Sequence, residues 1–140
     1  MIEIRNLTKS FSGTPVLRGV SLNVRAGTTR VILGLSGSGK SVLMKHMIGL
    51  MKPDSGSIMV DGVDLTAMSG TGLLDIRRKF GMVFQQSALF DSMTVWENVA
   101  FPLVEHTKLS KQEVNDRVMD KLKLVGLEAA VDKFPAELSG

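Results

Sequence analysis

The chain has 140 residues, of which 44% are hydrophobic and 22% are charged, and its formal net charge is +3 at pH 7. This balance excludes an intrinsically disordered chain, and the length suits one domain with a hydrophobic core. There is no cysteine, which excludes disulfide bonds and thiol chemistry. The basic cluster Arg77-Arg78-Lys79 has no interleaved aromatic residues, so we interpret it as a helix end and expect no nucleic-acid partner.

The first third of the chain predicts strands followed by a helix. Apolar and polar residues alternate over residues 2–5 and again over residues 20–24, which is typical of strands. Residues 29–33 are apolar enough to be buried on both faces, as in a parallel core strand. Apolar residues at helical spacing over 43–48 then predict a mostly buried helix that ends near Gly49.

The middle of the chain predicts a hairpin, a weak helix and a further strand. Residues 58–60 form an apolar strand that runs into Asp61-Gly62, a dipeptide that favours a hairpin turn. A weak helical pattern covers residues 73–78, and a short apolar strand is predicted over residues 80–84.

Two helices with capping boxes are predicted after that. Thr94-Val95-Trp96-Glu97 and Ser110-Lys111-Gln112-Glu113 both have the spacing that starts a helix. In the second helix we expect one buried face and an end at Gly126. The residues of that face are Val114, Val118, Leu122 and Val125.

The strongest functional signal is the segment Gly34-Leu35-Ser36-Gly37-Ser38-Gly39-Lys40-Ser41, which fits the pattern G-x-x-x-x-G-K-[ST]. It lies between an apolar run and a helical pattern, where glycines let successive amides point at an anion. The helix N-terminus adds unpaired amides and a positive dipole end. Lys40 supplies a charge for the β- and γ-phosphates, and the Ser41 hydroxyl can ligate Mg2+. The segment therefore predicts a nucleoside-triphosphate site.

Hydrolysis needs a carboxylate for Mg2+ and a group that orients the attacking water. The sequence offers one candidate carboxylate after an apolar strand, Asp61, and the Asp-Gly turn explains that residue better. The guanine-binding pattern N-K-x-D is absent, which disfavours a GTPase. A small-molecule kinase that uses Arg77 and Arg78 over the phosphates stays open at this point.

Two further segments add a family resemblance. They are Val83-Phe84-Gln85-Gln86-Ser87-Ala88-Leu89-Phe90, followed by Thr94-Val95-Trp96-Glu97-Asn98-Val99, and the ending Leu138-Ser139-Gly140. With the phosphate loop, their order resembles the ATP-binding cassette (ABC) ATPases over the whole chain. The resemblance implies an α/β P-loop NTPase fold with an antiparallel β subdomain and the start of a helical subdomain, ending before the Walker B strand. Residues 1–85 would form the nucleotide-binding core and β subdomain, and residues 86–140 the Q-loop and helical subdomain.

The same resemblance implies roles for individual residues. The Walker A loop would bind ATP through Gly34, Ser36, Gly37, Ser38, Gly39, Lys40, Ser41 and Val42. Val42 stands where many relatives have Thr or Ser, which removes one hydroxyl contact, and Leu35 replaces a frequent proline. Gln85 would be the catalytic glutamine that reaches Mg2+ and the attacking water. Phe11 would stack on adenine, and Ser139 and Gly140 would touch the γ-phosphate of ATP held by a second subunit.

The family's biology gives the remaining expectations. ATP and Mg2+ are the implied cofactors, and the implied partners are a second ATPase subunit in a head-to-tail dimer and a transmembrane permease. The segments Ser87-Ala88-Leu89-Phe90, Asn98-Val99-Ala100-Phe101-Pro102-Leu103 and Glu105-His106-Thr107 resemble ATPases of phospholipid carriers in the maintenance-of-lipid-asymmetry group. That group also works with a lipid-binding MCE-domain protein, and its ATPases are cytoplasmic and peripheral on the inner face of the plasma membrane.

Three alternatives stay open. The chain could serve an amino-acid or ion importer, a soluble ABC ATPase outside transport, or a nucleotide-binding role without catalysis. The family's Mg2+-binding Asp, catalytic Glu and switch histidine fall after the signature that begins at Leu138. Neither His46 nor His106 stands at the switch position; His46 is interpreted as helix packing or surface, and His106 as a helix end. These 140 residues are therefore expected to bind ATP without hydrolysing it alone.

Overall fold

The computed structural model describes residues 1–84 and 88–138. It divides into two compact units, Met1–Met82 and Val83–Gly140, and each is described by itself.

The first unit is built on an antiparallel sheet. Its strands are β1 (Ile2–Phe11), β2 (Thr14–Val24), β3 (Ser55–Val60) and β4 (Val63–Asp64), in the spatial order β2-β1-β3-β4. All three pairings are antiparallel. The predicted strands over residues 2–5, 20–24 and 58–60 are confirmed, and each is longer than the alternation alone indicated.

The predicted hairpin at Asp61-Gly62 is also confirmed. Val60 pairs with Val63, and the two residues between them have φ of +48° at Asp61 and +82° at Gly62. Positive φ at both central positions is the conformation of a type I′ turn, which Asp-Gly adopts readily. Asp61 is exposed in this turn, so the hairpin interpretation of that residue is the correct one.

Two helices pack on the sheet, α1 (Lys40–Met47) and α2 (Thr71–Arg77), with a 3-10 turn at Leu65–Ala67 before α2. The core joins inward side chains of three strands to one face of each helix. Its buried members are Ile4, Leu7, Leu17, Leu43, Ile58, Val60, Leu65 and Ile76. Gly49, with φ of +67°, follows α1 as predicted, and Arg77 is the last residue of α2, where its side chain donates to the Gly49 carbonyl.

Two predicted strands are wrong. Residues 29–33 and 80–84 have no strand structure, and Val31, Leu33 and Val83 are 70%, 88% and 93% exposed. A strand exists only where a neighbour supplies backbone hydrogen bonds. Among residues 1–84 and 88–138, the sheet contains only β1 to β4, and none of these strands pairs with either segment. Ile32 alone packs partly against the core.

Within its described residues, the second unit contains two helices and two 3-10 turns. The helices are α3 (Val95–His106) and α4 (Lys111–Leu124), and the turns are Glu128–Ala130 and Pro135–Glu137. Backbone amides at the start of α3 donate to this last segment, Val95 to the Lys133 carbonyl at 2.8 Å and Trp96 to the Val131 carbonyl at 3.0 Å. The chain after α4 therefore closes the N-terminal end of α3.

Both predicted capping boxes are present. The Thr94 side chain accepts from the Glu97 amide, and the Glu97 carboxylate accepts from the Thr94 amide; Ser110 and Glu113 do the same at the start of α4. Val114, Val118 and Leu122 form the buried face of α4 as predicted. Val125 does not, since it is 66% exposed at the C-cap, where the chain leaves the helix before Gly126 with φ of +69°.

Candidate nucleotide-binding site

The loop before α1 presents unpaired backbone donors. Gly37 and Gly39 have φ of +78° and +91°, a region open to glycine and strained for other residues. Among the residues that the structure describes, the amides of Gly37, Gly39, Lys40 and Ser41 have no hydrogen-bond partner. Helix α1 also starts without a side-chain cap, because its N-cap is Gly39. Several N–H groups are thus left for an external acceptor, and an anion is the acceptor that a helix N-terminus favours.

The Lys40 side chain folds back and bonds to the start of its own loop. Its Nζ donates to the Gly34 carbonyl at 2.8 Å and to the Leu35 carbonyl at 2.7 Å. The loop also contains a turn in which the Ser38 amide donates to the Leu35 carbonyl at 3.2 Å. The ammonium group therefore lies within the loop that carries the free amides. This combination of one fixed cation and several amides fits a polyanion such as a triphosphate.

At two glycines of the loop, an added side chain would meet a neighbouring side chain. A Cβ at Gly34 would lie 2.6 Å from Ser38 Oγ. A Cβ at Gly39, which is buried, would lie 3.0 Å from Val16 Cγ1 and 3.2 Å from Leu17 Cδ2. Strand β2 thus packs directly on Gly39, the residue that starts α1. This contact connects the β1–β2 hairpin to the phosphate loop within the first unit.

The other predicted loop residues differ in exposure. Ser36, Ser38 and Ser41 are exposed, and Ser41 is the second residue of α1, so its hydroxyl is accessible to a metal ion. Val42 is half-buried and packs against the core of the first unit. No three His, Asp or Glu side chains gather into a metal site anywhere in residues 1–84 and 88–138.

Phe11 lies at the turn end of the same hairpin, near Leu17 in the β1–β2 ladder. It is the last residue of β1, pairs with Thr14, and is 42% exposed. Lys9 Nζ lies 5.7 Å from the centroid of its ring. An exposed aromatic face at a strand end can stack on a nucleotide base, which remains the predicted role of Phe11.

Comparison with known proteins identifies the family. The ABC transporter family matches residues 17–140. The chain belongs to the ABC transporter family.

Curated relatives of this ABC chain carry different transport names. It is 50% identical, over 99% of this chain and 40% of the relative, to the "Probable ribonucleotide transport ATP-binding protein mkl" of Mycobacterium leprae. It is 44% identical, over all of this chain and 42% of the relative, to the methionine import ATP-binding protein MetN of Carboxydothermus hydrogenoformans. It is 39% identical, over all of this chain and 53% of the relative, to the intermembrane phospholipid transport system ATP-binding protein MlaF of Haemophilus influenzae. The chain thus spans about half or less of each curated relative.

Solved structures share the ABC fold. A dimeric, post-hydrolysis state of the ATP-binding cassette MJ0796 bound to ADP and Pi matches with a TM-score of 0.90 and 33% identity, over 99% of this chain and 63% of that one. CbiO1 from Clostridium perfringens, part of the ABC transporter complex cbiONQ, matches with a TM-score of 0.84 and 35% identity, over 99% of this chain and 55% of that one. The expected ABC ATPase fold with an antiparallel β subdomain is therefore confirmed for the part of the cassette that this chain covers.

Three predicted residues of the ABC site lie outside the described residues. Gln85, the predicted catalytic and Mg2+-binding glutamine, belongs to the segment 85–87, and Ser139 and Gly140 follow the last described residue. Their roles stay predictions.

Sequence reasoning missed two polar residues that organise the neighbourhood of predicted site segments. Asn98 holds the stretch before α3, because its side chain accepts from the Phe90 amide at 2.8 Å and donates to the carbonyls of Phe90, Met93 and Thr94. Asp54 accepts from Lys9 Nζ at 2.7 Å and from the Ser10 amide at 2.6 Å, next to Phe11. The separation of 44 residues between Ser10 and Asp54 leaves no local pattern that could have shown the second contact.

Of the two interpretations of His46, helix packing is the correct one. His46 is fully buried in α1, and its Nδ1 lies 2.7 Å from the Val42 carbonyl, while Nε2 has no partner among the described residues. His106 is the last residue of α3, as predicted. No helix within residues 1–84 and 88–138 is both long enough and apolar enough to cross a membrane.

Proposed function

We propose that this chain is the ATP-binding part of a subunit that powers an ABC transporter. The single observation that carries the proposal is the phosphate cradle, the loop in which the amides of residues 37 and 39–41 have no partner among the described residues and Lys40 Nζ donates to the Gly34 and Leu35 carbonyls. These donors would hold the β- and γ-phosphates, because charge-assisted hydrogen bonds to phosphate are the strong ones. Phe11 would stack on the adenine ring from the end of strand β1.

Mg2+ fits the site through Ser41, whose exposed hydroxyl follows Lys40 directly. The ion would neutralise charge on the phosphates when bound, and Gln85 would be its second contact. We further propose that these 140 residues bind ATP without hydrolysing it alone. In support, Asp61, the one candidate for a Walker B carboxylate, lies in an exposed hairpin turn that the Asp-Gly dipeptide explains.

The transported substrate that we propose is a phospholipid. This rests on the segments around Leu89, Ala100 and His106, and on the 39% identity to MlaF, the relative that is covered to 53%. A methionine or other amino-acid importer is the second candidate, favoured by the 44% identity to MetN. The partners proposed with the first candidate are a second ATPase subunit arranged head to tail, a transmembrane permease and an MCE-domain protein. The subunit would lie on the cytoplasmic face of the membrane.

Replacement of Lys40 tests the proposed nucleotide site. In the full-length protein, Lys40→Ala should weaken ATP binding roughly 10- to 150-fold, the equivalent of one or two charge-assisted hydrogen bonds. Isothermal titration with ATP and Mg2+ measures this. Lys45→Ala is the matched control, because Lys45 lies in the last turn of the same helix and is exposed. Equal ATP affinity for Lys40→Ala and wild type, or equal losses for both variants, would contradict the proposal.

The substrate proposal needs a different measurement. The full-length protein should be purified with the membrane partner that it retains in mild detergent, and small molecules bound to the complex identified by mass spectrometry. ATPase activity of that complex in vesicles should then respond to phospholipid and not to methionine. The reverse response would assign the chain to an amino-acid importer.

A further inference from the structure

The last three residues of β1 lack a neighbour on one side. β1 pairs with β3 from Ile2 only as far as Thr8, which lies opposite Ser55, and residues 9–11 pair with β2 alone. Opposite Ser10 on β2 stands Pro15, which has no N–H to donate to the ladder. The end of the strand that carries Phe11 is therefore weakly held by the sheet itself.

Asp54 supplies the missing neighbour. It directly precedes β3, and its own amide donates to the Thr8 carbonyl at 3.0 Å, in line with the last pair of the β1–β3 ladder. Its Oδ2 accepts from the Ser10 amide at 2.6 Å, and its Oδ1 accepts from Lys9 Nζ at 2.7 Å. One carboxylate thus fixes both the backbone and the charged side chain immediately before Phe11.

The Lys9 ammonium links this carboxylate to the aromatic ring. Its Nζ is bonded to Asp54 and lies 5.7 Å from the Phe11 ring centroid, within the range of a cation–π interaction. The Lys9 side chain is only 19% exposed, so its position is restricted, whereas Phe11 as a residue remains 42% exposed. The Lys9 ammonium therefore lies beside the Phe11 ring without covering all of Phe11.

We propose that Asp54 is a positioning residue for the nucleotide base: through Ser10 and Lys9 it holds the Phe11 ring in the orientation that stacks on adenine. The proposal rests on the proposed function, since it requires that Phe11 be the base platform. The hydrogen bonds from Lys9 and from the Ser10 amide also lower the pKa of Asp54, so the carboxylate that makes these contacts stays ionised at neutral pH.

The competing interpretation is that Asp54 only stabilises the sheet end. The two interpretations differ in what a substitution does to ligands with and without a base. A positioning residue for Phe11 affects ATP and leaves a ligand that consists of phosphates alone unaffected. A residue that merely stabilises the unit lowers the melting temperature and weakens both ligands together.

The test compares ATP with inorganic tripolyphosphate on the full-length protein, by titration calorimetry. Asp54→Ala should weaken ATP binding about three- to tenfold, a part of the roughly 5- to 150-fold that base stacking is worth, and leave tripolyphosphate binding within about twofold. Phe11→Ala should show the same pattern with a larger loss. The double variant should bind ATP no more weakly than Phe11→Ala, because Asp54 acts through that ring.

Two further variants keep the result interpretable. Asp54→Asn retains an acceptor for the Ser10 amide and removes the charge that holds Lys9, so it should fold if Asp54→Ala does not, and its ATP loss should be smaller. Asp75→Ala is the control, because Asp75 is an exposed carboxylate that pairs with Arg78 on the surface of the same unit, and neither ligand should respond.

Each remaining outcome is decisive. Equal losses of ATP and tripolyphosphate in the Asp54 variants, or additive losses in the double variant, would overturn the positioning role. If Phe11→Ala binds ATP normally while Lys40→Ala does not, the inference is overturned and the proposed nucleotide site stands. If Lys40→Ala leaves both ligands bound as in wild type, the proposed function itself fails.

Discussion

The helix starts in the two units are built in opposite ways. In the second unit, α3 and α4 begin at Thr94 and Ser110, whose side chains accept from the amides of Glu97 and Glu113 in complete capping boxes. In the first unit, α1 begins at Gly39, which has no side chain to cap with, and the amides around it have no partner among the described residues. The chain supplies a side-chain cap at α3 and α4 and supplies none at α1.

This difference distinguishes helix starts that the chain caps itself from one that is open to a ligand. A capped helix start stabilises the fold by about 1 kcal/mol and leaves fewer donors for a ligand. A helix start without a cap lacks this stabilisation, and its free amides are useful only where another molecule supplies the acceptor. Helix α2 shows that a missing cap alone does not make a phosphate site. Its N-cap, Gly70, also makes no side-chain hydrogen bond, but in the described part of the chain no loop with a lysine bonded to its carbonyls precedes this helix. The glycine-rich loop with Lys40 is what turns the uncapped start of α1 into a candidate phosphate site.

The largest expected effect comes from giving α1 a side chain at its N-cap. Gly39→Ala should cost about 2–3 kcal/mol in the free energy of unfolding, since an L-residue with φ of +91° is strained and its Cβ would crowd Val16 and Leu17. The variant should also bind ATP at least about tenfold more weakly, because the displaced amides bond a charged ligand. Chemical denaturation and calorimetric titration of the full-length protein give the two values.

Gly126→Ala is the matched control for that variant. Gly126 ends α4 with φ of +69°, and a Cβ there would meet nothing within 4 Å. The substitution should therefore cost only the conformational strain, about 1 kcal/mol, and leave ATP affinity within twofold. If both variants lose ATP affinity equally, the loop before α1 is not special and the contrast between the helix starts is wrong.

A smaller effect is expected from removing a cap in the second unit. Ser110→Ala should lower the free energy of unfolding by about 1 kcal/mol and leave ATP binding unchanged, because the hydroxyl serves only the start of α4. Urea denaturation measures the change. Lys111→Ala, at the first position of the same helix and exposed, should stay within about 0.5 kcal/mol of wild type. A loss of ATP affinity in Ser110→Ala would show that this cap also serves the site.

The smallest effect concerns pH. The pKa of Glu113 is lowered because the Ser110 hydroxyl and then the Ser110 amide donate to its carboxylate. A carboxylate with a lowered folded pKa stabilises the fold above its unfolded pKa of about 4.3, and this contribution is lost as the pH falls through the folded value. Thermal unfolding measured from pH 6 down to pH 3 should therefore show a shallower acid dependence for Ser110→Ala than for wild type. Identical slopes would mean that the box makes no ionic contribution.

Features that depend on a few neighbouring residues could be predicted from the sequence. The boxes at Thr94 and Ser110 and the turn at Asp61-Gly62 each contain all of their partners within four residues, so the residue types determine the geometry. The phosphate loop belongs to the same class, because its glycines, Lys40 and the following helix are contiguous. The prediction that Val125 is buried was wrong although the residue fits the apolar spacing, because α4 ends before it and Val125 faces solvent.

Features that depend on distant partners could not be predicted. Residues 29–33 and 80–84 have strand-like composition, yet a strand requires a second chain segment at hydrogen-bonding distance, and composition does not report whether one is present. Asp54 was missed for the same reason, since its role depends on Ser10 and Lys9, 44 and 45 residues away. His46 could be assigned to the interior only once the packing of α1 on the sheet was known.

The two hydrogen bonds of Lys40 to its own loop have a kinetic consequence. A lysine side chain and a glycine-rich backbone are among the most mobile parts of an unliganded protein, and ordering them on binding slows association and opposes it entropically. Here the carbonyls of Gly34 and Leu35 restrain both before a nucleotide arrives. In the proposed nucleotide site, phosphate oxygens would replace these carbonyls as acceptors of donors that are already ordered, so we expect diffusion and charge, rather than loop closure, to govern nucleotide association.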